Sequence, residues 1–159
     1  MKKLVNVFLF SAVVLFGCEQ MNGQQANKTK TTKVQADKWK NKLTPNEYDI
    51  MVNKGTETPF KNAYWNNHEK GIYVSAATGE VLFSSADKFD SGTGWPSFVK
   101  PVNAGKIAIV TDDSYGMERT EVIEKSTGLH LGHVFDDGPA DRGGKRYCMN
   151  SGALKFIKQ

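Results

Sequence analysis

From Gly71 to Ile157 the chain reads as short runs rich in β-branched and aromatic residues, none longer than seven residues, closed by turns and loops rich in glycine, proline and small polar residues. With 15 glycines and 11% aromatics, the composition favours a turn-rich, strand-rich fold over a helical bundle. Gly71–Val74 and Val81–Phe83 flank an Ala76-Ala-Thr-Gly79 turn and predict a hairpin. Lys106–Thr111, Arg119–Lys125, Leu129–Phe135, Lys145–Ser151 and Ala153–Ile157 read as further strands. Between them lie two glycine- and proline-rich loops, Ser91–Ser97 and Asp136–Gly144. The expected class is a mainly β, mostly antiparallel domain.

One helix precedes the strands. Thr44-Pro45-Asn46-Glu47 is a capping box with proline at the first helical position, and Lys54-Gly55 ends the helix on a glycine. Leu43 and Tyr48 are spaced as a hydrophobic staple, and Tyr48, Met51 and Val52 share a face. The folded domain is therefore expected over residues 43–159.

The chain ahead of it has a different character. Lys2 and Lys3 precede an apolar stretch from Leu4 to Phe16, the pattern of an export signal over residues 1–17. The stretch is shorter than the roughly 20 residues a membrane span needs. Leu15-Phe16-Gly17-Cys18 resembles the bacterial lipoprotein processing box, which implies cleavage before Cys18 and lipid on that cysteine. A plain signal cleaved elsewhere is the alternative. Residues 18–42 are expected to form a lipid-anchored flexible tether. Its 24 residues from Glu19 to Lys42 are rich in Gln, Asn, Thr and Lys, with Trp39 the sole aromatic. If coil-like, that length reaches roughly 25–30 Å.

The formal charge of +4 invites a nucleic-acid reading, but its distribution removes it. The signal carries +2 and residues 19–42 carry +4, whereas residues 43–159 carry −2. The basic balance belongs to the address and the tether. The mean hydropathy of −0.47 argues against a multispanning membrane protein.

Two cysteines, Cys18 and Cys148, cannot build a disulfide framework or a four-cysteine metal site. In Arg146-Tyr-Cys-Met-Asn150, strand periodicity places Arg146, Cys148 and Asn150 on one face and turns Tyr147 and Met149 toward the core. A cation beside a thiol favours the nucleophilic thiolate, although a lone buried structural cysteine is the other reading. His130-Leu-Gly-His133 would place its histidines on opposite faces, unless a bulge at Gly132 brings them together. Two imidazoles and a thiol would then form an acid/base and nucleophile set. Their spacing matches no standard zinc site. Trp95, in a glycine-rich loop, is placed to wall a small pocket or simply to pack.

Together these residues resemble the methionine sulfoxide reductase B family, whose members reduce the R epimer of methionine sulfoxide. The matching blocks are Gly55–Phe60, Lys88–Phe98, His130–Pro139 and Arg146–Asn150, in the family's order, and the resemblance spans about Leu43 to Phe156. It implies two small antiparallel sheets with the short N-terminal helix. It implies that Cys148 attacks the sulfoxide sulfur, that His133 with His130 beside it supplies protons, and that Cys148 is left as a sulfenic acid. Trp95 would hold the substrate methyl group, Asn150 and Arg146 would order the site, and Asp137 would orient a histidine.

Two departures from the family pattern carry further expectations. Many members bind a structural zinc through two Cys-x-x-Cys pairs; here those positions are Ser75, Thr78, Glu124 and Thr127, so no zinc and no other cofactor is expected. Apolar packing behind the Ala76–Gly79 turn would have to substitute. Some members place a resolving cysteine where Thr93 stands. With Cys18 lipidated, one free thiol remains, and an external thioredoxin-like reductant must recycle Cys148. The expected protein is a monomeric, exported reductase, lipid-anchored to a cell-envelope membrane, that acts on oxidised methionine in proteins or peptides and binds no nucleic acid. A tethered ligand-binding module with an inert cysteine and a thiol peroxidase are the competing readings.

Overall fold

Helix α1, Pro45–Met51, forms where the capping box predicts. The Thr44 side chain accepts the Glu47 amide at 3.3 Å, and the Glu47 carboxylate accepts the Thr44 amide at 2.8 Å. Ile50 and Met51 are buried, while Tyr48 and Val52 pack against the same core. The computed structural model describes residues 37–159. The expected signal, the lipid site at Cys18 and most of the tether lie outside the described residues. The tether's last residues differ from expectation: residues 37–40 are helical, and Trp39 is 5% exposed within the hydrophobic core. The polar surroundings of Trp39 in the sequence hide a large apolar side chain that gains more from burial than from a solvated tether.

Nine strands follow: β1 Gly71–Ser75, β2 Val81–Ser84, β3 Lys88–Phe89, β4 Ser97–Phe98, β5 Ile107–Asp112, β6 Arg119–Glu124, β7 His130–Phe135, β8 Arg146–Met149 and β9 Leu154–Lys158. They form two sheets, β2-β1-β9 and β3-β4-β8-β7-β6-β5, with every pair antiparallel. The two-sheet expectation therefore holds. Strands β3 and β4 are two residues each, too short to announce themselves in a loop-like sequence.

The sheets meet through aromatic side chains. Phe83 of β2 stacks on Phe98 of β4 with centroids 4.5 Å apart, and Tyr73 of β1 meets Phe98 edge-on at 5.0 Å. All three are fully buried, as are Leu82, Val122, Leu131 and Met149. Each such side chain contributes about 1.5–3 kcal/mol through burial. This core fixes β8 in the interior of the larger sheet, between β4 and β7.

The turn after β1 corrects one expectation. Ala76 and Ala77 do pack on the core, but the turn is also held by a polar clasp. Ser75 Oγ accepts the amides of Ala77 and Thr78 at 3.2 and 3.3 Å. Thr78 donates to Glu124 Oε1 at 2.5 Å, and Thr127 donates to Glu124 Oε2 at 2.6 Å. Glu124 is fully buried, and the clasp ties the β1–β2 turn to the β6–β7 turn. One carboxylate whose two oxygens already accept hydroxyl protons, beside three hydroxyls, does not fit a tetrahedral zinc centre.

Candidate active site

The register of the larger sheet places Cys148 of β8 directly opposite Ser97 of β4 on one side and His133 of β7 on the other. A bulge makes the second pairing useful. Opposite β6, Val122 pairs with Gly132 and Ile123 pairs with His130, so Leu131 is the extra residue. The insertion reverses the alternation and brings the two imidazoles to one side, their centroids 5.3 Å apart. Gly132 is required by its neighbour: a Cβ there would lie 2.2 Å from the Cys148 carbonyl oxygen.

Around the thiol is a cavity of about 120 Å³, lined by Thr56, Trp95, Arg119, Gly132, His133, Phe135, Cys148, Met149 and Asn150. The Trp95 indole donates to the Glu57 carbonyl at 3.1 Å. Its loop is held by the Phe60 amide, which donates to the Gly94 carbonyl at 2.9 Å. Gly94 adopts a positive φ, and a Cβ there would meet the Phe60 nitrogen at 2.7 Å. Thr93 Oγ1 lies 4.0 Å from the Cys148 sulfur. Ser91 links Thr93 at 2.8 Å to the buried Ser97 at 2.7 Å.

The two histidines sit in different environments. His133 lines the cavity and directs Nε2 to Asp112 Oδ2 at 2.8 Å. Asp112 also accepts from Arg119 at 2.8 Å and from the Ser114 amide at 3.1 Å. Ser114, His133 and Arg119 together hold the Asp112 carboxyl well below the usual carboxylate range. His130 is 2% exposed and is not part of the lining. Its Nδ1 pairs with Glu121 Oε1 at 2.8 Å, and its Nε2 lies 3.4 Å from Asn150 Nδ2. Burial pushes the His130 imidazole down, against the pull of Glu121, and so favours the neutral ring.

Arg146 and Asp137 depart from their expected roles. Asp137 orients no histidine; it grips Arg146 with both oxygens, each at 2.8 Å, because the loop after β7 brings it alongside β8. The carboxylates that orient the histidines are Asp112 and Glu121. Arg146 lies over the Phe135 ring, 4.4 Å from its centroid. Its charge does pull the Cys148 thiol toward ionisation, but burial is the larger effect and the thiol is pushed up overall. Burial thus favours the neutral thiol at Cys148 over the thiolate that the neighbouring cation suggests.

Of the residues singled out from sequence, Cys148, His133, Trp95 and Asn150 converge on the cavity, and His130 and Arg146 stand behind its wall. Asp112, Glu121 and Glu57 are additions. The only sequence signal for Glu121 is a carboxylate inside an otherwise strand-like run. Its partner depends on register and on a bulge.

Comparison with known proteins adds two findings. The SelR domain family matches residues 43–158. The peptide methionine sulfoxide reductase MsrB of Leptospira interrogans serogroup Icterohaemorrhagiae serovar Lai (strain 56601) is 54% identical over 121 residues, covering 76% of this chain and 92% of that relative.

Proposed function

The chain belongs to the methionine sulfoxide reductase B family and reduces the R epimer of methionine sulfoxide, and from that premise we propose that Cys148 is its nucleophile and His133 its acid/base. The observation that carries this reading is the cross-strand opposition of Cys148 and His133 in a cavity walled by Trp95. With Nε2–H given to Asp112, neutral His133 offers the Nδ1 lone pair to the thiol proton, and Asp112 stabilises the imidazolium that results. The thiolate attacks the electrophilic sulfoxide sulfur. The sulfoxide oxygen takes the proton from His133 and passes to the Cys148 sulfur, while the sulfur–sulfur bond formed by the attack breaks and its electron pair stays on the methionine sulfur. Methionine leaves reduced by two electrons, and Cys148 is oxidised by two to the sulfenic acid.

Trp95 holds the substrate methyl against its ring, and Asn150 orders the polar end of the cavity. No zinc or other cofactor takes part. An external thiol, of the thioredoxin-like kind, reduces the sulfenic acid, since Thr93 supplies no resolving thiol. The substrate is oxidised methionine in polypeptides of the cell envelope, reached from a lipid anchor on Cys18.

The test is turnover of separated epimers, as free amino acid and in peptides. Activity on R alone, lost in Cys148→Ser, supports the reading. Binding without turnover would favour a tethered binding module, and faster consumption of peroxide than of sulfoxide would favour a thiol peroxidase. Mass spectrometry after one turnover without reductant should show sulfenic acid on Cys148; an internal disulfide would overturn the recycling scheme. Incorporation of a labelled fatty acid, abolished by Cys18→Ala, tests the anchor.

A further inference from the structure

Lys54 occupies a conformation that a lysine seldom adopts. Its φ is +59°, in the left-handed region that glycine enters without strain, and it lies just past the Val52 cap and Asn53 at the end of α1. The side chain accounts for its presence there. Lys54 Nζ donates to Glu121 Oε2 at 2.7 Å; the lysine side chain is 60% exposed and the glutamate 2%. The ammonium reaches in from the surface to a buried carboxylate. Glu121 Oε1 accepts from His130 Nδ1 at 2.8 Å. An ionised carboxylate only accepts, so the ring proton lies on Nδ1 and the lone pair on Nε2. Asn150 Nδ2 then donates to His130 Nε2 at 3.4 Å and to the Leu131 carbonyl at 3.3 Å, while Asn150 Oδ1 accepts the Glu57 amide at 3.3 Å.

We propose that Lys54 is a positioning residue for sulfoxide reduction: its ammonium keeps Glu121 an acceptor, which fixes the His130 tautomer and, through it, the orientation of the Asn150 amide in the Cys148 cavity. The proposal rests on the function assigned above. Each link has a direction, and the directions reverse together. Without the ammonium, the buried Glu121 carboxylate loses its counter-charge, and the protonated carboxyl is the form that needs none. A protonated Glu121 donates to Nδ1, and the ring proton moves to Nε2. That N–H then faces the Asn150 amide N–H across 3.4 Å, donor against donor. Rotating the amide removes that clash but sets Oδ1 against the Leu131 carbonyl oxygen and the NH₂ group against the Glu57 N–H. The other titratable group beside His130 is His133, which Asp112 holds separately.

Lys54→Met carries the same backbone strain and removes only the charge; Lys54→Arg restores the charge. The readouts are the ¹⁵N shifts of His130, kcat and KM on the R epimer, and the unfolding midpoint. The wild type is expected to show the Nδ1–H tautomer alone. Lys54→Met is expected to show Nε2–H or a mixture, with kcat reduced about tenfold by the misplaced amide and KM changed less. Lys54→Arg is expected to recover both. Glu121→Gln, which keeps the side-chain shape, should show the same spectral change and serves if Lys54→Met does not fold. A variant without the charge that keeps the Nδ1–H tautomer overturns the proposal whatever its activity, as does a changed tautomer with unchanged kcat. If the wild type leaves the R epimer unreduced, the functional reading fails, and the spectra still decide the link from Lys54 to His130.

Discussion

The clasp at Glu124 and the cavity at Cys148 are both buried polar regions of the same domain, and they differ in what is left unpaired. At the clasp, both carboxylate oxygens accept a threonine hydroxyl, and Ser75 accepts two amides. The set is closed on itself, with a donor on each carboxylate oxygen. At the cavity, His133 gives Nε2 to Asp112, but among the described residues Nδ1 has no protein hydrogen bond, and the Cys148 sulfur, beside Thr93 at 4.0 Å and the Ser97 and Arg146 side chains, lines the open space. Polar groups closed on one another hold the fold; polar groups supported from behind and open in front do chemistry.

This contrast can be broken at several points. The largest effect is expected from Cys148→Ser, which should cost at least about 10³-fold in turnover while leaving the unfolding midpoint nearly unchanged. Asp112→Asn removes the support behind His133 and should cost about 10²-fold in kcat/KM. The same variant tests stability against pH. Because the folded Asp112 carboxyl lies below its ordinary range, its contribution is present above the unfolded value and is lost as pH falls through the folded one; acid titration of the wild type should show that loss and the variant should not.

Arg146→Ala should have a smaller effect. Arg146 opposes the upward push of burial on Cys148, so removing it raises the thiol further. The rising limb of the pH–rate profile should move to higher pH, with a loss at neutral pH of no more than about tenfold. Glu124→Ala reverses the pattern: kcat/KM within about twofold of wild type, but roughly 1–3 kcal/mol of stability lost by denaturant unfolding, because two threonine hydroxyls lose their acceptor. A Glu124 variant with wild-type stability, or one with a crippled active site, would break the comparison.

Much of this could be read from local pattern. The capping box placed α1, and the short apolar runs located β5 to β9 to within one or two residues at most of their ends. Gly132 between two histidines signalled a bulge, and a bulge is present. What escaped depends on contacts distant in sequence. Asp112 and Glu121 serve histidines 21 and 9 residues away through cross-strand register, which no periodicity encodes. Asp137, close in sequence to the histidines, was the local choice and the wrong one; the loop turns it to Arg146. Trp39 was lost among polar neighbours, because its burial is set by a core assembled from residues beyond it.

The position of β8 has a kinetic consequence. Cys148 lies on a strand bonded on both sides, to β4 and to β7, so under the proposed mechanism its backbone stays fixed while the sulfur is oxidised and reduced. Under that mechanism, sulfoxide and thiol donor would take turns at the cavity that holds the sulfur. Methionine has to depart before the thiol donor can approach, and the donor before the next sulfoxide. Such alternation yields parallel lines in double-reciprocal plots, and each visitor at high concentration obstructs the other.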